Sequence, residues 1–220
     1  MIPWKLLDSA KVPGGNELRL WQRGAEFSIR LGRDELMNSR IHGSEEELAN
    51  LACERIGERS APRLLIGGLG MGFTLRAALN ALKQDARIVV AELMPAVIAW
   101  NQGPLAALTG SSLEDSRVTL KEGDVGEAIR ADADAYDAIL LDVDNGPEGL
   151  TRADNDRLYD LDGLGATRRA LRKNGVLLVW SAGEDQKFTQ RLRRLHCQRR
   201  IGQRADQVIQ IPGSGFEQDG

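Results

Sequence analysis

The sequence predicts an α/β fold: a seven-stranded, mostly parallel sheet with helices on both faces, plus a short N-terminal β-hairpin extension. Three observations lead there. The stretch Arg63-Leu64-Leu65-Ile66-Gly67-Gly68-Leu69-Gly70-Met71-Gly72-Phe73-Thr74 runs from a short apolar strand through glycines into a helical pattern, with Leu75, Leu79 and Leu82 on one helix face. From Arg63 onward strands and helices alternate, the rhythm of a parallel sheet. The strands are almost wholly apolar, as expected when both faces are covered. Together these define a doubly wound, Rossmann-like arrangement.

Before the glycine loop, Glu17–Trp21 and Glu26–Leu31 flank Gln22-Arg23-Gly24-Ala25, a β-hairpin pattern. An isolated hairpin is marginal in water, so it is expected to pack on the main domain or pair with another subunit. A helix is expected from near Ser44, where Ser44 and Glu47 have capping-box spacing. Strands are predicted at Arg63–Ile66, Arg87–Ala91, Val118–Leu120, Ala138–Leu141 and Val176–Trp180. A helix over Glu184–Leu195 and strands at His196–Ile201 and Gln207–Ile211 complete the sheet. The organisation is an extension over 1–43, a main domain over 44–213 and a flexible, glycine-rich tail over 214–220.

With 220 residues, 42% hydrophobic and 28% charged, the chain has the composition of a globular protein with a sizeable core. Its net charge of −3 supplies no overall basic field for nucleic acid or an anionic membrane. No apolar run approaches the length of a bilayer span, and Met1-Ile2-Pro3-Trp4-Lys5 lacks a signal-peptide layout, so a cytoplasmic location is expected. Cys53 and Cys197 have no Cys-x-x-Cys spacing, and the histidines are His42 and His196, which suggests neither a zinc site nor a disulfide framework. Both histidines are read as structural. The cluster Arg191, Arg193, Arg194, Arg199 and Arg200 suits RNA phosphates or a solvated helix and strand; nearby acids balance it, which favours the latter.

Ligands of open parallel sheets bind beyond the carboxyl ends of the strands, where strand order reverses. Glycines suit that place, because a strand turning into a helix needs positive φ and close backbone approach, and a Cβ obstructs both. Gly68, Gly70 and Gly72 are therefore the expected cofactor loop, backed by the amides of a helix N-terminus. Three acids follow at strand ends. Glu92 closes the second strand about 20 positions after Gly72, where a carboxylate accepts from both ribose hydroxyls. Asp124, behind Gly123 and the third strand, is placed to accept from an adenine amino group. Asp142 closes the fourth strand and opens Asp142-Val143-Asp144-Asn145-Gly146-Pro147-Glu148-Gly149. Each acid alone is equally a helix cap or turn residue; their order behind one glycine loop points to a bound nucleoside.

From about Arg63 to Trp180 the chain resembles the class I S-adenosylmethionine-dependent transferases, and most closely the spermidine synthase (polyamine aminopropyltransferase) family. That family runs Ile-Gly-Gly-Gly-Asp-Gly-Gly into a Thr-Leu-Arg helix, as Ile66-Gly67-Gly68 and Thr74-Leu75-Arg76 do here. Its acid followed by Pro-x-Val-Ile is matched by Glu92-Leu93-Met94-Pro95-Ala96-Val97-Ile98, and its Gly-Asp by Gly123-Asp124. The resemblance implies binding of S-adenosylmethionine or its decarboxylated form, alkyl transfer to a small amine, and a homodimer formed through the hairpin and the segment Met37 to His42. It also makes Asp142 the first of the family's two amine-binding, proton-accepting aspartates. The second position is Asn145, and Asp144 stands one residue early. Asp142 and Asp144 are the expected catalytic residues, with Asn145 and Tyr159 touching the acceptor. The family's glycine-loop aspartate has no counterpart in Gly68-Leu69-Gly70-Met71-Gly72, so intact S-adenosylmethionine is expected to bind at least as well as the decarboxylated donor.

Transfer from a sulfonium asks mainly for alignment and an unprotonated amine, since the cationic sulfur is already a good leaving group. A carboxylate at Asp142 or Asp144 suits both needs; capping the loop is the plainer role for Asp142. Asn145 to Asp160 reads as a lid or as a solvated connection, and Tyr159, Trp180 and Trp100 as acceptor walls or as core. Two other functions stay open, methyl transfer to a different substrate and a nucleoside-binding dimerisation module without chemistry.

Overall fold

A computed structural model describes residues 2–12, 16–143, 156–180, 186–194, 200–201 and 208–212. An amino-terminal antiparallel sheet comes first, with β1 (Lys5–Lys11), β2 (Glu17–Arg23), β3 (Glu26–Leu31) and β4 (Asp34–Asn38) side by side in chain order. The predicted hairpin is β2–β3. The outer strands escape the sequence pattern because each carries an irregularity, between Leu6 and Asp8 in β1 and opposite Ile29 and Arg30 at β4. Such a bulge breaks the period of two by which a strand is recognised. One face of this sheet, carrying Leu18, Leu20, Phe27 and Ile29, is buried in the main core, and Trp100 Nε1 donates to Asp8 Oδ2 at 2.7 Å.

Helix α1 (Gly43–Ile56) follows, without the predicted capping box. His42 is the N-cap and makes no side-chain cap, while Ser44 Oγ donates to Glu45 Oε2 at 2.6 Å. The acids Glu45 and Glu46 in the first turn complement the helix dipole.

The main domain then runs β5 (Arg63–Gly67), α2 (Phe73–Ala81), β6 (Arg87–Glu92), α3 (Pro95–Gln102), α4 (Ala106–Thr109), β7 (Val118–Glu122), α5 (Val125–Ala131) and β8 (Tyr136–Leu141). It continues through α6 (Asp156–Tyr159), α7 (Leu161–Ala170), β9 (Leu171–Trp180), α8 (Gln186–Arg194), β10 (Arg200–Ile201) and β11 (Val208–Pro212). Five strands are parallel in the order β9-β8-β5-β6-β7, and β11 with β10 lies antiparallel along the β9 edge. Strand β9 starts earlier than its apolar run because Leu171 pairs with Tyr136, a register shift intervenes, and Val176 then pairs with Ala138.

Alternate residues of the strands part into two cores. Leu64, Ile66, Ile88, Val90 and Leu140 pack with α1, α2 and the amino-terminal sheet, whereas Leu65, Ile139, Leu141, Leu177 and Val179 pack with α5, α7 and α8. At the amino ends of the strands, the buried Asp137 carboxylate accepts from Arg59 Nη1 at 2.6 Å, from the Arg63 N–H at 2.8 Å and from Arg172 Nη1 at 2.8 Å. This ties β5, β8 and β9 together at the end remote from their carboxyl termini. Among the described residues no helix is long and apolar enough to cross a membrane.

Candidate active site

Strand β5 has β6 on one side and β8 on the other, so the winding reverses there and a crevice opens at the carboxyl ends. It is a cleft with about 970 Å³ of empty space, lined by Gly68, Gly70, Glu92, Gly123, Asp124 and Asp142 and closed from the amino-terminal sheet by Ile29 and Met37. Six of the positions predicted from sequence thus meet in one place. Gly72 stands behind them as the N-cap of α2, with φ +82, and a Cβ there would meet Asn101 Oδ1 at 3.0 Å and Thr109 Cγ2 at 3.1 Å. Gly68 has φ +88, and a Cβ there would come 2.3 Å from the Asp142 carbonyl oxygen, so only glycine lets the β5–α2 turn pass the end of β8.

The loop is held by the acid predicted to meet the ribose. Glu92 is 7% exposed; its Oε2 accepts from the Leu69 N–H at 2.8 Å and its Oε1 from the Met94 N–H at 2.7 Å. Glu92 also lines the cleft, so the residue that fixes the loop faces the empty space. Asp124 Oδ1 accepts from the Gly126 N–H at 2.6 Å as the N-cap of α5, and the residue also lines the cleft.

Asp142 Oδ2 accepts a hydrogen bond from Thr74 Oγ1 at 2.9 Å. The residue is half-buried by accessible area, but its carboxyl lies deep among protein atoms. Burial pushes it up to about 7, the negative charge of Glu45 adds to the rise, and the Thr74 hydroxyl opposes it. A carboxyl poised there can receive a proton near neutral pH.

A smaller chamber with about 570 Å³ of empty space adjoins the cleft and shares Leu36, Met37, Gly70 and Asp142 with it. Glu45, Leu69, Met71, Phe73, Thr74 and Trp180 complete its walls. Glu45 is the residue that sequence reasoning misses: in the run Glu45-Glu46-Glu47 nothing in the spacing marks which acid turns to a cavity. Trp100 belongs to the core. Tyr159, expected at the acceptor, is 1% exposed, meets Phe188 edge-on at 5.6 Å in the second core, and lies outside the lining of both cavities. His42 stacks on Phe73 at 4.3 Å beside Glu46. Asp144, Asn145, His196 and the tail fall outside the described residues, as does most of the segment from Asn145 to Asp160. Among the described residues no three His, Cys, Asp or Glu gather as a metal site.

A parallel sheet with its glycine loop and strand-end acids gathered at one switch point is a Rossmann-like α/β fold. Within that class the fold is the one found in spermidine synthases. The chain is similar to a spermidine synthase in complex with the transition-state analogue AdoDATO, with a TM-score of 0.75 and 17% identity, covering 96% of this chain and 74% of that one. It is also similar to spermidine synthase from Thermotoga maritima (TM-score 0.69, 17% identity, 96% and 73% covered). A probable spermidine synthase from Corynebacterium glutamicum gives a TM-score of 0.65 at 11% identity, with 98% and 82% covered. In sequence the chain is 31% identical over 120 residues to a polyamine aminopropyltransferase of Korarchaeum cryptofilum, a match covering 54% of this chain and 35% of that protein. This chain therefore spans about a third of that relative's length. No family model matches the chain.

Proposed function

We propose that this chain is a transferase that binds decarboxylated S-adenosylmethionine and moves its aminopropyl group to a small amine. The observation that carries the reading is the single cleft shared by Gly68, Gly70, Glu92, Asp124 and Asp142, and the likeness to spermidine synthases supports the choice of donor. Glu92 receives the ribose hydroxyls, Asp124 the adenine amino group, and Gly68, Gly70 and Gly123 let the nucleoside approach the backbone. The acceptor nitrogen attacks the methylene carbon next to the sulfonium. The carbon–sulfur bond breaks with its electron pair going to sulfur, which leaves as the neutral thioether methylthioadenosine. The ammonium proton passes to Asp142, with Asp144 carrying the same role on sequence grounds alone.

The larger sheet, taken as complete with seven strands and helices on both faces, and the division into 1–43, 44–213 and 214–220 belong to the same reading. So do a cytoplasmic location and a homodimer through the amino-terminal sheet, supported by the exposed Ile2, Leu6 and Ile41. Light scattering tests the dimer. Incubation with labelled decarboxylated S-adenosylmethionine and 1,4-diaminobutane tests the activity: methylthioadenosine and an alkylated diamine are expected. S-adenosylhomocysteine formed from S-adenosylmethionine would instead establish methyl transfer, which the loop residue Gly70, lacking a charge, favours.

A further inference from the structure

Glu45 stands in the first turn of α1 and lines the smaller chamber together with Asp142 and Gly70. Its neighbour Glu46 is occupied, receiving Arg76 Nη2 at 2.6 Å and lying 3.2 Å from His42 Nδ1. Glu45 has no such cation among the described residues; the Ser44 hydroxyl is its partner at 2.6 Å. Among the described residues Asp142 likewise meets a hydroxyl, that of Thr74, and no basic group. The two carboxylates share one field, since the charge of Glu45 helps raise Asp142. The remaining wall is apolar or aromatic, with Leu36, Met37, Met71, Phe73 and Trp180.

Like charges facing one partly buried chamber oppose each other when it is empty and are relieved when a cation enters. A hard metal ion takes about six or more oxygens, which this wall does not offer. An ammonium on an aliphatic chain fits better, its stem against Leu36 and Met37 and its head near the acids and ring faces.

We propose that Glu45 is a specificity-determining residue of this chamber, selecting with Asp142 a primary ammonium group on an aliphatic chain and repelling a carboxylate. This rests on the transferase reading above; the ammonium is either the tail of the donor or the acceptor amine. The glycine loop then needs no acid at Gly70, because α1 delivers the charge from outside the loop. The sequence-based expectation that the carboxylated donor binds at least as well is overturned if Glu45 acts in this way.

Calorimetry on the full chain separates the possibilities, with wild type, Glu45→Gln, Glu45→Asp and the exposed control Glu54→Gln. All four are expected to bind 5′-methylthioadenosine equally, which also reports that each variant is folded. Glu45→Gln is expected to lose about tenfold in affinity for the ammonium ligand, Glu45→Asp less, and Glu54→Gln nothing. A donor-tail site shows the loss with decarboxylated S-adenosylmethionine and narrows its preference over S-adenosylmethionine. An acceptor site shows it with 1,4-diaminobutane in the presence of methylthioadenosine. Unchanged affinity of Glu45→Gln for both amines overturns the proposal and leaves the nucleoside reading standing. A wild type that does not bind methylthioadenosine overturns that reading, and the inference with it.

Discussion

Thr74 and Asp142 are joined by a 2.9 Å hydrogen bond that spans the switch point from the first turn of α2 to the end of β8. It is the one described contact that favours the charged form of a carboxyl whose burial and neighbour both oppose ionisation.

Asp142→Asn is therefore expected to stabilise the empty protein at pH 8 and to leave it unchanged at pH 4. The native carboxyl titrates at about 7, against an ordinary value of 3.8. Between those values the folded state holds a proton that the unfolded state has released, so stability falls as pH rises through the window. Above it the full cost is present, a few kcal/mol at most once solvent reaching the cleft is allowed for. Melting curves at the two pH values check this, and equal behaviour of both proteins at pH 8 sinks it.

Glu92→Ala should weaken methylthioadenosine binding at least about tenfold and also loosen the loop, because two backbone donors lose a charged acceptor. The structural share is on the order of 3 kcal/mol, roughly 6–12 °C in Tm. Titration and melting read the two effects separately. A lowered Tm with intact nucleoside affinity would restrict Glu92 to a structural role.

Gly68→Ala and Gly70→Ala form a matched pair. Both positions have positive φ, but the first Cβ meets a backbone carbonyl at 2.3 Å and the second the flexible sulfur of Met37 at 3.1 Å. The cost is expected to be at least about 3 kcal/mol at 68 and about 1–2 kcal/mol at 70. Denaturant unfolding of both variants gives the comparison; equal losses contradict it.

Asp137→Ala should lower stability by about 3 kcal/mol, the bottom of the range for broken buried ion pairs, because both arginines are partly exposed and can turn to water. Methylthioadenosine affinity should not change, since the clamp lies at the opposite end of the strands. Loss of binding in a variant that remains folded contradicts that separation.

The glycine loop and the three strand-end acids are legible in sequence because strand, turn and helix impose local patterns and the topology places their ends together. Glu92 and Asp124 show the limit of that legibility: whether such an acid binds a ligand or caps a backbone looks like a choice in sequence, while in the folded chain the same residue holds backbone N–H groups and lines the cleft. Tyr159 is open to either assignment because an aromatic in the four-residue helix Asp156–Tyr159 has no periodic signature of its direction. Glu45 was hidden for a different reason. Its approach to Asp142 depends on how α1 lies against α2 and β9, a packing relation between distant segments that no local window contains.

The strand order also sets the sequence in which the cleft comes into being during synthesis. The amino-terminal sheet pairs only chain neighbours, so it can close as soon as β4 has left the ribosome. Strand β5 must wait. It can gain β6 early, but its other neighbour, β8, is made only after β6, β7 and the helices between them. Until then one edge of β5, carrying the N–H and C=O groups of Leu65 and Gly67, is unpaired, the kind of edge on which nascent chains associate. A polypeptide halted before Tyr136 would carry the glycine loop and Glu92 beside an open edge, and the Asp142 wall of the cleft would be the part still missing.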